Sequence, residues 1–203
     1  MQRSRQHRIG MRPPLAVGWW WLLLAFLGLG TSLRAQESPG QLEGRVKAAF
    51  LVKFALFIEW PANADNTRTN EAFVIGVYGN EPFAKLLAES TKFNHVQGLP
   101  VVVRHSNKPE KLAGCRMVFV AGNETHPLEN ILRQFEGRPV LTVTDAPGGA
   151  LRGSMINFVK ANGKVRFEFN VAAAERAQLK FSAKLLQAGK IVVPGQTETR
   201  GDE

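Results

Sequence analysis

Few side chains of this chain could do covalent chemistry, and their spacing argues against a catalytic centre. Cys115 is the single cysteine. With His105 or His126 as base it could serve as a nucleophile, because a thiol attacks as the thiolate and needs a proton acceptor nearby. No nucleophile-elbow or cysteine-protease signature surrounds it, and a free thiol buried where a strand begins is the simpler account. A lone cysteine also excludes an internal disulfide and a cysteine-based metal cluster. His95, His105 and His126 show no metal-ligand spacing such as H-E-x-x-H and read as loop residues. We therefore expect no catalytic residue, no metal ligand, no cofactor and no enzyme.

Binding chemistry is better supplied. GNEPF (79–83) follows an apolar run and opens a helical pattern, where phosphates sit in nucleotide-binding folds, but it lacks the G-x-G-x-x-G fingerprint. GGALRGS (148–154) reads more simply as the shaped entry to a hairpin. Gly79, Asn80, Gly122 and Asn123 stand at strand ends, where small ligands bind in α/β folds, and form the candidate ligand pocket. For a protein partner the candidates are Trp60, Lys164, Arg166 and Glu168, since tryptophan and arginine dominate interface energetics. Trp60 is the one tryptophan outside the N-terminal apolar run, and it also fits as a lid on the core edge. Arg200-Gly201-Asp202 matches integrin ligands over three residues only, a match expected by chance.

These side chains need elements to position them. A chain of 203 residues, 44% hydrophobic and 21% charged, suits one domain with a real core and excludes collagen-like and disordered classes. Its formal charge of +9 suggests nucleic acid until the charge is located. Residues 1–35 hold five of the 26 basic residues and none of the 17 acidic ones, so residues 36–203 carry an ordinary surface charge. Arg3, Arg5, Arg8 and Arg12 precede the apolar run LAVGWWWLLLAFLGLG (15–30), and TSLRAQ follows it, the layout of a secretory signal peptide. The run falls short of the ~20 residues that span a bilayer. Cleavage is expected after Ala35, with no cysteine following to carry a lipid. The expectation is an exported, periplasmic protein that neither spans the membrane after cleavage nor binds nucleic acid. Its organisation is a signal peptide (1–35), one domain (36–193) and a disordered polar tail (194–203).

Within the domain, residues 41–59 show helical spacing, with Pro61 as the stop. FVIGVYG (73–79) reads as a strand buried on both faces. A helix from Glu81 to Phe93 carries Phe83, Leu86, Leu87 and Phe93. Strands follow at 99–104, 116–122 and 139–145, with a helical turn at 109–113 and a helix at 127–135 between them. Such alternation implies a mostly parallel sheet with helices on both faces. MINFVK (155–160) and KVRFEFN (164–170) flank Asn162-Gly163 and make a hairpin with one solvated face. Asn170 would cap a final long helix over 171–192, with Ala174, Ala177, Phe181, Leu185 and Ala188 as its apolar stripe. The fold class is thus α/β: a three-layer sandwich with a mostly parallel sheet, a C-terminal β-hairpin and a final long helix.

Three segments in this order, VKAAFLVKFALFIEWP (46–61), GGALRGSMINFV (148–159) and KVRFEFNVAAAERAQLKFSAKLLQAGKIV (164–192), resemble the YfiR family of periplasmic regulatory proteins. The resemblance covers nearly all of residues 45–192. It implies a non-enzymatic α/β protein that restrains a membrane-bound partner, an inner-membrane diguanylate cyclase in the best-known arrangement and a histidine kinase in others. It further implies low cyclic di-GMP while the protein is bound, and capture by an outer-membrane lipoprotein as the release step. Better-known members carry paired cysteines, whereas this chain has only Cys115, so an intramolecular disulfide switch does not carry over. A homo-oligomer formed through the hairpin edge is a further expectation, because an edge strand leaves backbone groups unpaired. The other function class is a periplasmic small-molecule binding protein that reports to a transporter or sensor kinase.

Overall fold

A computed structural model describes residues 39–61, 71–122 and 126–194. The expected signal peptide, Asn123 and the tail beyond Pro194 lie outside the described residues. Helix α1 spans Pro39–Leu56 and buries Ala48, Leu51, Val52 and Ala55, an i, i+3, i+4, i+7 stripe, together with Phe54. It stops short of residue 59, where the apolar periodicity carried it. The Phe57 N–H still reaches the Phe54 carbonyl at 2.9 Å. Ile58–Glu59 then extends as strand β1, which fits β-branched Ile58 and the approach to Pro61.

The main sheet collects β2 (Phe73–Tyr78), β3 (His95–Val96), β4 (Leu99–Ser106), β5 (Met117–Val120), β6 (Leu141–Thr144), β7 (Ile156–Ala161), β8 (Lys164–Phe169) and β10 (Lys190–Ile191). Their order across it is β10-β8-β7-β6-β5-β2-β4-β3. β4, β2, β5, β6 and β7 are parallel neighbours, and β8 returns antiparallel to β7 through the Asn162-Gly163 turn. Phe73, Ile75 and Val77 point into one core with α1 and with Phe83 and Leu87 of α2 (Glu81–Thr91). Val74 and Tyr78 point into another with Leu128, Ile131 and Leu132 of α3 (Leu128–Leu132). Both faces of β2 are therefore buried, and the architecture is the expected α/β sandwich. β3 was not foreseen: Gln97 (φ 53) and Gly98 (φ 80) form a two-residue hairpin turn of the I′ kind that folds it onto β4. Phe93 lies beyond the end of α2 and is 85% exposed, so it leaves the core it was expected to join.

The final long helix does not form. Asn170 does cap a helix, its side chain accepting from the Ala173 N–H at 2.9 Å, but α4 covers only Val171–Arg176. The Leu179 N–H turns back to the Ala174 carbonyl and the Gln178 N–H to that of Glu175, both at 2.9 Å. With Gln178 at φ 61, this is a Schellman stop built on a glutamine rather than a glycine. Fully buried Leu179 anchors it. The chain continues as β9 (Lys180–Phe181), which pairs antiparallel with β1, then α5 (Ala183–Leu186), then β10 beside β8. Ala174, Ala177 and Leu185 are buried as expected, though from separate elements, while Ala188 is exposed. Gln178→Gly removes the left-handed strain and should raise stability by about 0.5–1 kcal/mol in urea unfolding. An unchanged or lowered midpoint would contradict the strain.

Candidate functional site

From β2 the chain crosses to β4 on one side, and β5 then pairs with the other side of β2. The carboxyl ends of β2 and β5 flank the point where the strand order reverses, the usual ligand crevice of an open α/β sheet. A cleft of about 1010 Å³ opens there between α1 and α2, with Glu43, Lys47, Asn80, Phe83, Phe119 and Asp145 in its lining. Asn80 is there because it caps α2, accepting from the Phe83 N–H at 3.0 Å. Asp145 follows β6, and its Oδ1 accepts from the Gly122 N–H at 2.6 Å, tying the ends of β5 and β6 together.

The wall of the cleft is a charge array that joins helix to sheet. Lys47 Nζ lies 2.6 Å from Asp145 Oδ2 and 2.9 Å from Glu43 Oε1, and Lys160 reaches the other oxygen of Glu43 at 3.1 Å. Burial opposes the charge on Lys47, but the hydrogen bonds to Asp145 and Glu43 overcome it and hold its pKa above the ordinary value. The Lys47 and Lys160 hydrogen bonds hold Glu43 below the usual carboxylate range. Two carboxylates and two ammonium groups satisfy one another, so the array positions α1 and gives the cleft a polar wall. No group of three or more metal-ligating side chains occurs among the described residues.

Of the four residues expected to form a ligand pocket, Asn80 lines the cleft and Gly122 supports it through Asp145. Gly79 turns away at φ 78, its carbonyl accepting from His105 Nε2. Asn123 is not among the described residues. Lys47 and Asp145 were missed by sequence reasoning; only the i, i+4 spacing of Glu43 and Lys47 was visible, and it is common on exposed helices.

The partner-binding candidates sit elsewhere. Trp60 is half-buried, edge-on to Phe73 with ring centroids 5.4 Å apart, and lines a cleft of about 450 Å³ with Glu59, Glu175 and Lys180. Its buried Nε1 has no hydrogen-bond partner among the described residues. Lys164 and Arg166 are exposed on β8. Glu168 is half-buried and accepts from Asn157 Nδ2 at 3.0 Å, so the solvated face expected of this strand does not extend to it. β10 pairs with β8 only at Glu168–Phe169, and Gly189 packs against the Phe167 carbonyl, leaving the outer edge of β8 open from Lys164 to Arg166 among the described residues.

The thiol of Cys115 is buried against Gly76, where an added Cβ would come within 3.0 Å of Sγ. Burial pushes its pKa up to about 11. At pH 8 it is therefore a thiol and not a thiolate, the opposite of a catalytic cysteine. Iodoacetamide at pH 8 should leave Cys115 unmodified in the native protein and alkylate it fully in denaturant. Rapid native labelling would reopen the nucleophile reading.

The chain is similar to known proteins in two comparisons. The YfiR/HmsC-like family model matches residues 44–190 of this chain. Among solved structures, the crystal structure of a conserved domain protein from Vibrio cholerae O1 biovar El Tor is similar at 13% identity, with a TM-score of 0.48. The similarity covers 76% of this chain and 60% of that one, so this chain spans under two thirds of that protein.

Proposed function

This chain belongs to the YfiR/HmsC-like family of periplasmic regulators, and from that premise we propose that it binds and restrains the extracytoplasmic domain of an inner-membrane signalling protein. A diguanylate cyclase is the first candidate, with lowered cyclic di-GMP as the output, and a histidine kinase is the alternative receptor. The family match over residues 44–190 carries this reading, because it takes in every strand of the main sheet but the last residue of β10. The protein acts by binding and not by catalysis. Trp60, Lys164 and Arg166 are the proposed contacts, with Glu168 held in place behind them by Asn157. The open edge of β8 supports a homo-oligomer as the restraining form. An outer-membrane lipoprotein that sequesters the protein would relieve the restraint. No helix among the described residues is long and apolar enough to cross a membrane.

Restraint of this kind works by preferring the partner's inactive state, and each tenfold preference corresponds to about 1.4 kcal/mol of population shift. Deleting the gene should raise cyclic di-GMP severalfold, and overproduction should lower it below the wild-type level. Unchanged cyclic di-GMP in both strains would reject a cyclase partner. Affinity capture with the C-terminally tagged full chain, followed by mass spectrometry, then separates a kinase receptor from none. The cleft between α1 and α2 favours a second reading, a periplasmic small-molecule binding protein. Screening small metabolites for a thermal shift tests it, since a ligand that binds only the native state raises its stability.

A further inference from the structure

The edge of the sheet opposite the hairpin carries a feature that the regulator reading does not use. β4 is eight residues long, and β3 pairs only with Leu99 and Pro100. Asn94 extends the cover by one bond, its carbonyl accepting from the Val101 N–H at 3.0 Å. The N–H and C=O groups of an extended strand alternate sides residue by residue. The Ser106 carbonyl accepts from the Gly79 N–H on the β2 side, so the even-numbered residues of β4 bond to β2. Val103 and His105 therefore direct their backbone groups outward, and among the described residues no strand pairs with them. The side chains around them are open as well: Val102 is 46% exposed, and Arg104 and His105 are exposed.

A long open edge is a template for pairing unless something blocks it. Here the guard is charge. Residues 92–111 hold Lys92, Arg104, Lys108 and Lys111 against the single acid Glu110. A second copy of this edge would bring like charges together, which disfavours self-pairing. An extended segment bearing carboxylates meets the same edge with complementary charge, and the ladder supplies affinity without demanding a particular sequence. We propose that the outer edge of β4, from Val102 to Ser106, docks an extended acidic segment of another protein by strand addition, with Val102 taking an apolar side chain and Arg104 a carboxylate. This site is independent of the hairpin and of the identity of the restrained receptor, so the protein can hold both partners at once.

The test uses the purified full chain and a fluorescein-labelled nonapeptide of alternating valine and glutamate, read by anisotropy. Binding should saturate at low salt and weaken as salt screens the charges. A peptide N-methylated on every amide, so that neither of its edges can donate, and one with lysine for glutamate, should each bind at least tenfold more weakly. Val103→Pro removes an outward donor at an edge position that tolerates proline, and should weaken binding at least tenfold. If that variant is misfolded by circular dichroism, the N-methylated peptide decides alone. Equal binding of the N-methylated peptide would reduce the site to charge attraction and overturn strand addition. Failure of the glutamate peptide to bind, or a dimer in ultracentrifugation that Val103→Pro dissociates, would overturn it too.

Discussion

Gly149→Ala should cost about 3 kcal/mol, a fall of roughly 10 °C in melting temperature for a domain of this size. A Cβ at residue 149 would sit 2.2 Å from Thr144 Cγ2, 3.0 Å from Asn157 Oδ1 and 3.1 Å from the Ala146 carbonyl. Thr144 cannot turn aside without loss. Its hydroxyl donates to the Val120 carbonyl at 2.7 Å and accepts from the Ala146 N–H at 3.1 Å. The loop must move instead, and it is bonded at both ends, by the Gly149 N–H to Ala146 and by the Ser154 N–H to Gly149, each at 3.0 Å. Gly148→Ala is the control. Gly148 has a left-handed φ of 64 but no atom within 4 Å of an added Cβ, so it should cost only the left-handed strain, about 1–2 kcal/mol. If the two substitutions cost the same in urea unfolding, the close packing around Gly149 is not what makes it a glycine.

That comparison gives the motif GGALRGSMINFV a physical content, since it is the approach to the hairpin that is being fixed. Ser154 Oγ donates toward the Thr142 and Ile156 carbonyls, and Asn170 Nδ2 donates to the Ala150 carbonyl at 2.8 Å. The loop between β6 and β7 is thereby bonded to β6, to β7 and to the cap of α4. Arg152 adds a two-bond contact to Glu129, at 2.6 and 3.1 Å, which holds that carboxyl down at about 2. This pair is exposed, so Arg152 contributes far less to the fold than the glycines beside it.

How much of this was legible depends on the range of the forces involved. β2, β5 and β6 could be read because a strand buried on both faces shows a continuous apolar run, as FVIGVY does. The hairpin could be read because Asn162 and Gly163 accept the positive φ that the turn requires. The end of α4 could not be read. AERAQLKFSAKLL keeps a helical period throughout, and the residue that takes left-handed φ is Gln178, which carries no local signal of a stop. What breaks the helix is tertiary: Leu179 gains a buried site, and Lys180–Phe181 gains Ile58–Glu59 as a partner. The same pairing shortened α1, so one long-range contact accounts for both misplaced boundaries. The cleft shows the same division. Asn80 was visible as a polar residue between strand and helix, whereas the ion pair of Lys47 with Asp145 spans 98 positions and leaves no periodic trace.

The contact of Lys47 with Glu43 in the same array has the clearest dependence on pH. Lys47→Met should destabilise the protein by about 2 kcal/mol at pH 7. The figure sits below the cost of breaking a fully buried pair, because the side chains of Lys47, Asp145 and Glu43 keep 14%, 22% and 34% of their exposure. Glu43 has a depressed native pKa, so its contribution exists above the ordinary carboxylate range and is lost as the pH falls through the depressed value. Lys47 has a raised native pKa, so its contribution exists below the ordinary ammonium range and is lost only as the pH climbs through the raised value. The gap between wild type and variant should therefore be widest between about pH 5 and pH 10 and should narrow toward pH 3. Adding Asp145→Asn to Lys47→Met should recover part of the loss. The amide removes the unpaired charge while its Oδ1 can still accept from the Gly122 N–H. A gap of the same size at pH 3 and pH 7 would mean that the aliphatic stem of Lys47, and not its charge, holds α1 against the carboxyl end of the sheet.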